Sequence, residues 1–175
     1  GSSLAGLSWW GRNRLVFTDA KSGVRVAKLN GDTLQWTTSV NLPNAKVGGS
    51  PYPVGVAVED RNAFICASRA NELVVVDLVA NRVGQRIDVE PAPYGVVLLP
   101  GDKALVTCWG RTPGKGETSA PASGTPIAID RTGVSKGGAV CLVDLKARQV
   151  VRKVHVGRQP GTPLRVRDQV LVPIM

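Results

Sequence analysis

A unit of about forty residues recurs along this chain, and that period constrains the fold more than any single motif. One complete copy occupies the stretch around Pro53–Val97. Its four apolar runs, Val54–Val58, Ala63–Ala67, Leu73–Leu78 and Arg86–Val89, are separated by Gly, Pro, Asn, Asp and Arg breakers. Breakers about ten residues apart space the runs as strands, not helices. The unit is therefore a four-stranded antiparallel meander. A second copy reads PYGVVL, KALVTCWG, AVCLVDLKARQVV and RKVHVGRQP, and its Cys141–Leu145 matches Val74–Leu78. An earlier copy holds Asn13–Asp19 and Val24–Leu29, and a later one begins at Gly157-Arg158-Gln159-Pro160. Four strands per period predict an all-β β-propeller of about three and a half four-stranded antiparallel blades, a partial ring. The blades are expected at about 1–43, 51–91 and 92–157, with an incomplete one at 158–175.

At these residues the sequence resembles the YVTN/YncE-type β-propeller repeat family. The resemblance rests on Pro53-Val54-Gly55-Val56-Ala57-Val58, on Phe64-Ile65-Cys66-Ala67-Ser68 and on Leu73–Leu78. It covers nearly the whole chain. The blade carrying SAPASGTP and IAIDRTGVSKGGAV further resembles the propeller part of bacterial proteins in which an alkaline-phosphatase-like domain follows. No residue here matches that phosphoesterase half, so its chemistry is carried onto none of them. The family implies an exported protein, periplasmic or secreted, with DNA binding as a further implied property.

A chain of 175 residues is long enough for one domain, but closed propellers take about four to eight blades. The expectation is a piece of a larger ring, or a ring completed by a second copy. Net charge is +9 with pI near 10, which suits an anionic partner only where the charge clusters. Here it is dispersed. Arg12, Arg14, Arg61, Lys103, Arg148, Arg152 and Lys153 fall in turns or on outer strands, the pattern of a solvated surface. No apolar stretch is long enough for a membrane helix, and no signal segment opens the chain. Cys66, Cys108 and Cys141 sit in apolar strand sequence without a paired-cysteine motif, so they read as core filling rather than as a metal site or a disulfide.

One blade breaks the period. Asp77 and Asp144 of the two VDL motifs are 67 residues apart, which leaves an insert at 110–138 of about 27 residues beyond the usual spacing. Rich in Gly, Pro, Ser and Thr, it reads as a flexible arm with a short hairpin, the kind of long loop that carries function. In the family topology, the entries to first strands and the links from second to third strands share one face of the ring. That face is expected to collect Asp19-Ala20-Lys21, Tyr52, Ser68-Arg69-Ala70-Asn71, Tyr94, the entire insert and Arg158-Gln159, with Arg69, Asn71, Tyr94, Trp109, Arg111, Lys115 and Arg158 as the expected ligand contacts. Aromatic and guanidinium groups together suit an anionic or extended polar ligand, or a protein. The alternative is that Tyr52 and Tyr94 pack between blades and Trp109 covers the core. Arg69 is taken as the counterpart of Arg111 one blade earlier, so that both flank a groove.

Catalysis is hard to assemble from these residues. The lone His155 belongs to an outer strand, away from the ring axis, where no nucleophile can use it. Asp77 and Asp144 are repeat-equivalent and suited to bonding turn backbone, while Gly114-Lys115-Gly116 lacks the helix of a phosphate loop. No cofactor is expected. The functional expectation is a non-catalytic scaffold presenting a loop-lined binding face to a ligand or protein, in a larger exported bacterial protein. Its alternatives are the propeller module of a phosphoesterase, partnered by a domain outside this chain, and a DNA-binding propeller.

Overall fold

A computed structural model describes residues 4–174. Three four-stranded antiparallel sheets follow one another. The first holds β1 (Leu4–Trp10), β2 (Arg14–Asp19), β3 (Gly23–Asn30) and β4 (Thr33–Asn41). The second holds β5 (Pro53–Glu59), β6 (Asn62–Ala67), β7 (Glu72–Asp77) and β8 (Arg82–Asp88). The third is built from β9 (Pro93–Leu99), β10 (Lys103–Cys108), β13 (Gly138–Asp144) and β14 (Gln149–Val156), with hairpin β11 (Ser119–Ala122) and β12 (Thr125–Ala128) inserted between β10 and β13. A two-stranded fourth unit, β15 (Leu164–Val166) and β16 (Gln169–Leu171), follows. The architecture is all-β, a partial β-propeller, with no helix among the described residues. The blade strands lie where apolar runs stood between breakers, while β11 (SAPA) pairs with β12 from a segment without such a run. Asp77 and Asp144 accept from the turn amides of Val79, Ala80 and Ala147.

Two apolar clusters hold the blades face to face. One joins Trp10, Val16, Val24, Val26 and Val40 of the first sheet to Ile65, Val74 and Val76 of the second. The other joins Phe64, Leu73 and Ile87 to Val96, Val106, Cys108, Cys141 and Val143. The central strands β6 and β7 of the second sheet are thus covered on both sides, while β4, β8 and β14 are largely exposed. All three cysteines are free thiols in this packing. The outward face of the first sheet is bare. Leu7 and Trp9 are 59% and 55% exposed, whereas Val56 and Val58, at the same register positions of the second sheet, pack into the first cluster.

Register also explains the Pro-x-Gly motif. A methyl on Gly55 would overlap the carbonyl oxygen of Tyr94, and one on Gly6 that of Val54, because the innermost strands of successive blades touch through backbone. Thr18 faces Gly6, and Thr107 faces Gly95, the equivalent glycine of the third blade. Thr18 Oγ1 accepts from Gly6 N at 2.7 Å and donates to Val54 O at 2.5 Å. Thr107 Oγ1 accepts from Gly95 N at 3.1 Å and donates to Gly161 O at 3.0 Å. In the middle blade Cys66 holds that position. Each threonine thereby stitches its own blade to the next.

The insert is not the flexible arm expected of its composition. Ala128 is fully buried, and Asn71 Nδ2 donates to Thr125 Oγ1 at 2.7 Å. The insert's first segment is bonded to Glu90, whose carboxylate is 5% exposed. That carboxylate accepts from Thr112 N and from Lys153 Nζ, each at 2.6 Å. Polar side chains misled the sequence reading because they bond the protein here instead of water. Lys153 is accordingly not the idle outer-strand residue its position suggested.

Candidate functional site

The entries to the second, third and fourth units each cross the loop face with one residue in left-handed backbone conformation: Tyr52 at φ 54°, Ala92 at φ 57° and Gln159 at φ 44°. Such a conformation is unfavourable for residues with a Cβ and persists only where neighbours hold it. The holders are the exits of second strands. Ser68 N and Arg69 N donate to Tyr52 O and Pro51 O, both at 3.0 Å. One blade on, Trp109 N and Gly110 N donate to Ala92 O and Pro91 O at 2.9 and 3.0 Å. These paired bonds make Ser68 the counterpart of Trp109 and Arg69 the counterpart of Gly110. The expected match of Arg69 with Arg111 is therefore one residue out of register.

Between these links and the insert lies a cleft of about 470 Å³, lined by Tyr52, Ser68, Arg69, Trp109, Ser135 and Gln159 with Ala92, Gly110, Ala122, Ser123 and Ile127. The size is that of a small-molecule site. Trp109 is fixed on two sides. Its ring stacks on Tyr94 with centroids 4.3 Å apart and planes 23° apart, and its indole N–H donates to Pro160 O at 3.2 Å. Tyr94 does not reach the cleft, so the opposite indole face is the one that does. The indole is 36% exposed. Beta-hairpin β11–β12 supplies the facing wall through Ala122, Ser123 and Ile127.

The other candidates take different places. Arg69 lines the cleft and, among the described residues, no carboxylate lies within ion-pair distance of it. Asn71 is a brace, donating to Thr125 and accepting from Ala92 N at 3.0 Å. Arg111 is turned into the insert, where it pairs with Glu117 through two bonds of 2.5 and 2.6 Å. Its guanidinium and the Gly114 and Lys136 donors hold the Glu117 carboxyl well below the usual range. Arg158 is bound to Asp130 at 2.5 Å. Thr132 and Val134 donate to the same carboxylate and, with Arg158, hold its pKa down to about 2. Lys115 is exposed and outside the cleft. Ser68 and Gln159, and Ser123, Ile127 and Ser135 of the insert, line the site as members of the loop face the sequence predicts, although they are not among the ligand contacts expected from side-chain chemistry.

No family model and no curated protein matches this chain. Its fold does match solved structures. A putative 6-phosphogluconolactonase from Bacteroides uniformis superposes with TM-score 0.63 at 10% identity, over 99% of this chain and 48% of that one. A protein of unknown function from Bacteroides caccae gives 0.56 at 17% identity, over 86% and 48%. The computationally designed Ika4 protein gives 0.61 at 10% identity, over 99% and 92%. The fold is that of a β-propeller. This chain spans about half the length of the natural neighbours it matches. Identities this low speak for the fold alone. Among the described residues no helix is long and apolar enough to cross a membrane.

Proposed function

We propose that this chain is a non-catalytic propeller scaffold whose loop face holds a small ligand in the cleft between the blade entries and the insert. The observation that carries this is the indole of Trp109, held by Tyr94 and Pro160 and left bare toward a cleft walled by three strained blade entries. A large aromatic fixed in place with one face uncovered is a prepaid binding surface. Among the described residues that line the cleft there is no carboxylate, imidazole, amine or thiol, so its serine hydroxyls have none of the bases that ordinarily activate such a nucleophile beside them. The resemblance to YVTN/YncE-type repeats supports an exported bacterial parent with further sequence outside this chain. A phosphoesterase domain in that parent is the alternative with most bearing on activity.

A fragment screen by NMR, following the indole N–H resonances, tests the cleft. Binders should shift the Trp109 signal and lose affinity at least tenfold in Trp109→Ala, while Arg152→Ala on β14 leaves them unchanged. Binders that shift only Trp9 or Trp36 would refute the cleft as the site.

A further inference from the structure

The chemistry of the cleft wall narrows the ligand class. We infer that the cleft takes a singly charged sugar acid, its carboxylate on Arg69 and one face of its ring on Trp109; this rests on the cleft being the ligand site. Three observations carry it. First, charge: among the described residues, Arg69 alone brings a guanidinium or ammonium group to the cleft. Its neighbours on the loop face are already engaged, Arg111 by Glu117, Arg158 by Asp130 and Lys46 by Asp88. With no Asp or Glu in the lining, the site repels cations and has one fork to match one carboxylate.

Second, shape: Tyr94 occupies one face of Trp109 and Pro160 its N–H. What remains is a flat apolar surface with no polar demand. The C–H face of a pyranose ring meets such a surface without losing a hydrogen bond. Third, polarity: Ser68, Ser123, Tyr52 and Gln159, all with polar side chains, line the same space, while the Ser135 hydroxyl already donates to Gly137 O at 3.0 Å. An aromatic acid would leave those groups facing carbon, whereas ring hydroxyls can pair with them.

Sodium glucuronate, glucose, glucosamine and glucose 1-phosphate, titrated against the same chain by NMR, decide the matter. Glucuronate should bind at least tenfold tighter than glucose, glucosamine no tighter than glucose, and the dianionic phosphate more weakly than glucuronate. Arg69→Gln, which keeps the backbone bond to Pro51 and changes an exposed side chain that has no hydrogen bond or ion pair among the described residues, should bring glucuronate to within twofold of glucose. Trp109→Phe should keep part of the affinity for both, and Trp109→Ala should remove it. Equal binding of glucuronate and glucose at the Trp109 resonance overturns the acid while leaving the cleft as the site. Phosphate tighter than carboxylate overturns the sugar acid in favour of a phosphate ester. Glucuronate silent at Trp109, with screened fragments still binding there, overturns the sugar acid alone.

Discussion

Replacing Gly55 by alanine should unlock the second blade from the third. The new methyl would overlap the Tyr94 carbonyl oxygen and stand 3.1 Å from Gly95 Cα and 3.2 Å from Tyr94 C. All three obstacles are backbone atoms of β9, so no side chain can rotate away. Relief requires moving an inner strand by about 1 Å against packed neighbours, and over-packing of this kind costs about 1–3 kcal/mol, with the rigid backbone placing it at the upper end, about 3 kcal/mol. Gly84 is the internal control. A methyl there meets only Val75 O at an ordinary 3.6 Å, and alanine at a compatible glycine should be neutral or stabilise by about 0.5 kcal/mol through the unfolded chain. Urea unfolding followed by tryptophan fluorescence measures both. Equal midpoints for Gly55→Ala and Gly84→Ala would refute direct backbone contact between successive inner strands.

Cys66→Thr should be tolerated and stabilise by up to about 1 kcal/mol, because the hydroxyl can repeat the Thr18 and Thr107 stitch between Gly55 N and Tyr94 O; a loss above 2 kcal/mol by the same urea titration would contradict it. The insert should loosen in acid. The carboxyls of Asp130 and Glu117 lie below their unfolded values in the folded chain, so the ordering they provide is complete above about pH 4 and is lost as pH falls through the folded pKa, about 2 for Asp130. Amide shifts of Thr132, Val134 and Gly114 should report this before global unfolding. Trypsin should cut first after Lys115 and Arg131, both exposed, and later after Arg111 and Lys136, which Glu117 holds; cleavage at all four at one rate would mean the insert is loose. At high concentration the chain should self-associate through the bare face of the first sheet, and light scattering should show Trp9→Ser reducing it, since Trp9 is 55% exposed there.

Strand order, blade period and the place of the insert were legible in the sequence because each rests on local pattern. An apolar run between breakers reads as a strand from its own residues, and VVVDL at 74–78 repeats the pattern of CLVDL at 141–145, each ending in Val-Asp-Leu. Pro-x-Gly at 53–55 and 93–95 was legible as a motif, but not as the point where blades touch. Tertiary structure decided the pairing of charges. Arg69 and Arg111 look alike in sequence, and one is open to the cleft while the other is held by Glu117 six residues away. It also decided the order of the insert, whose polar residues bond Glu90 and Asn71, groups from blades before it in the chain. Composition measures what a segment would do in water. Only the fold places a buried carboxylate or a braced amide beside it, and a hydrogen bond satisfied there orders the same polar residues that would otherwise remain solvated.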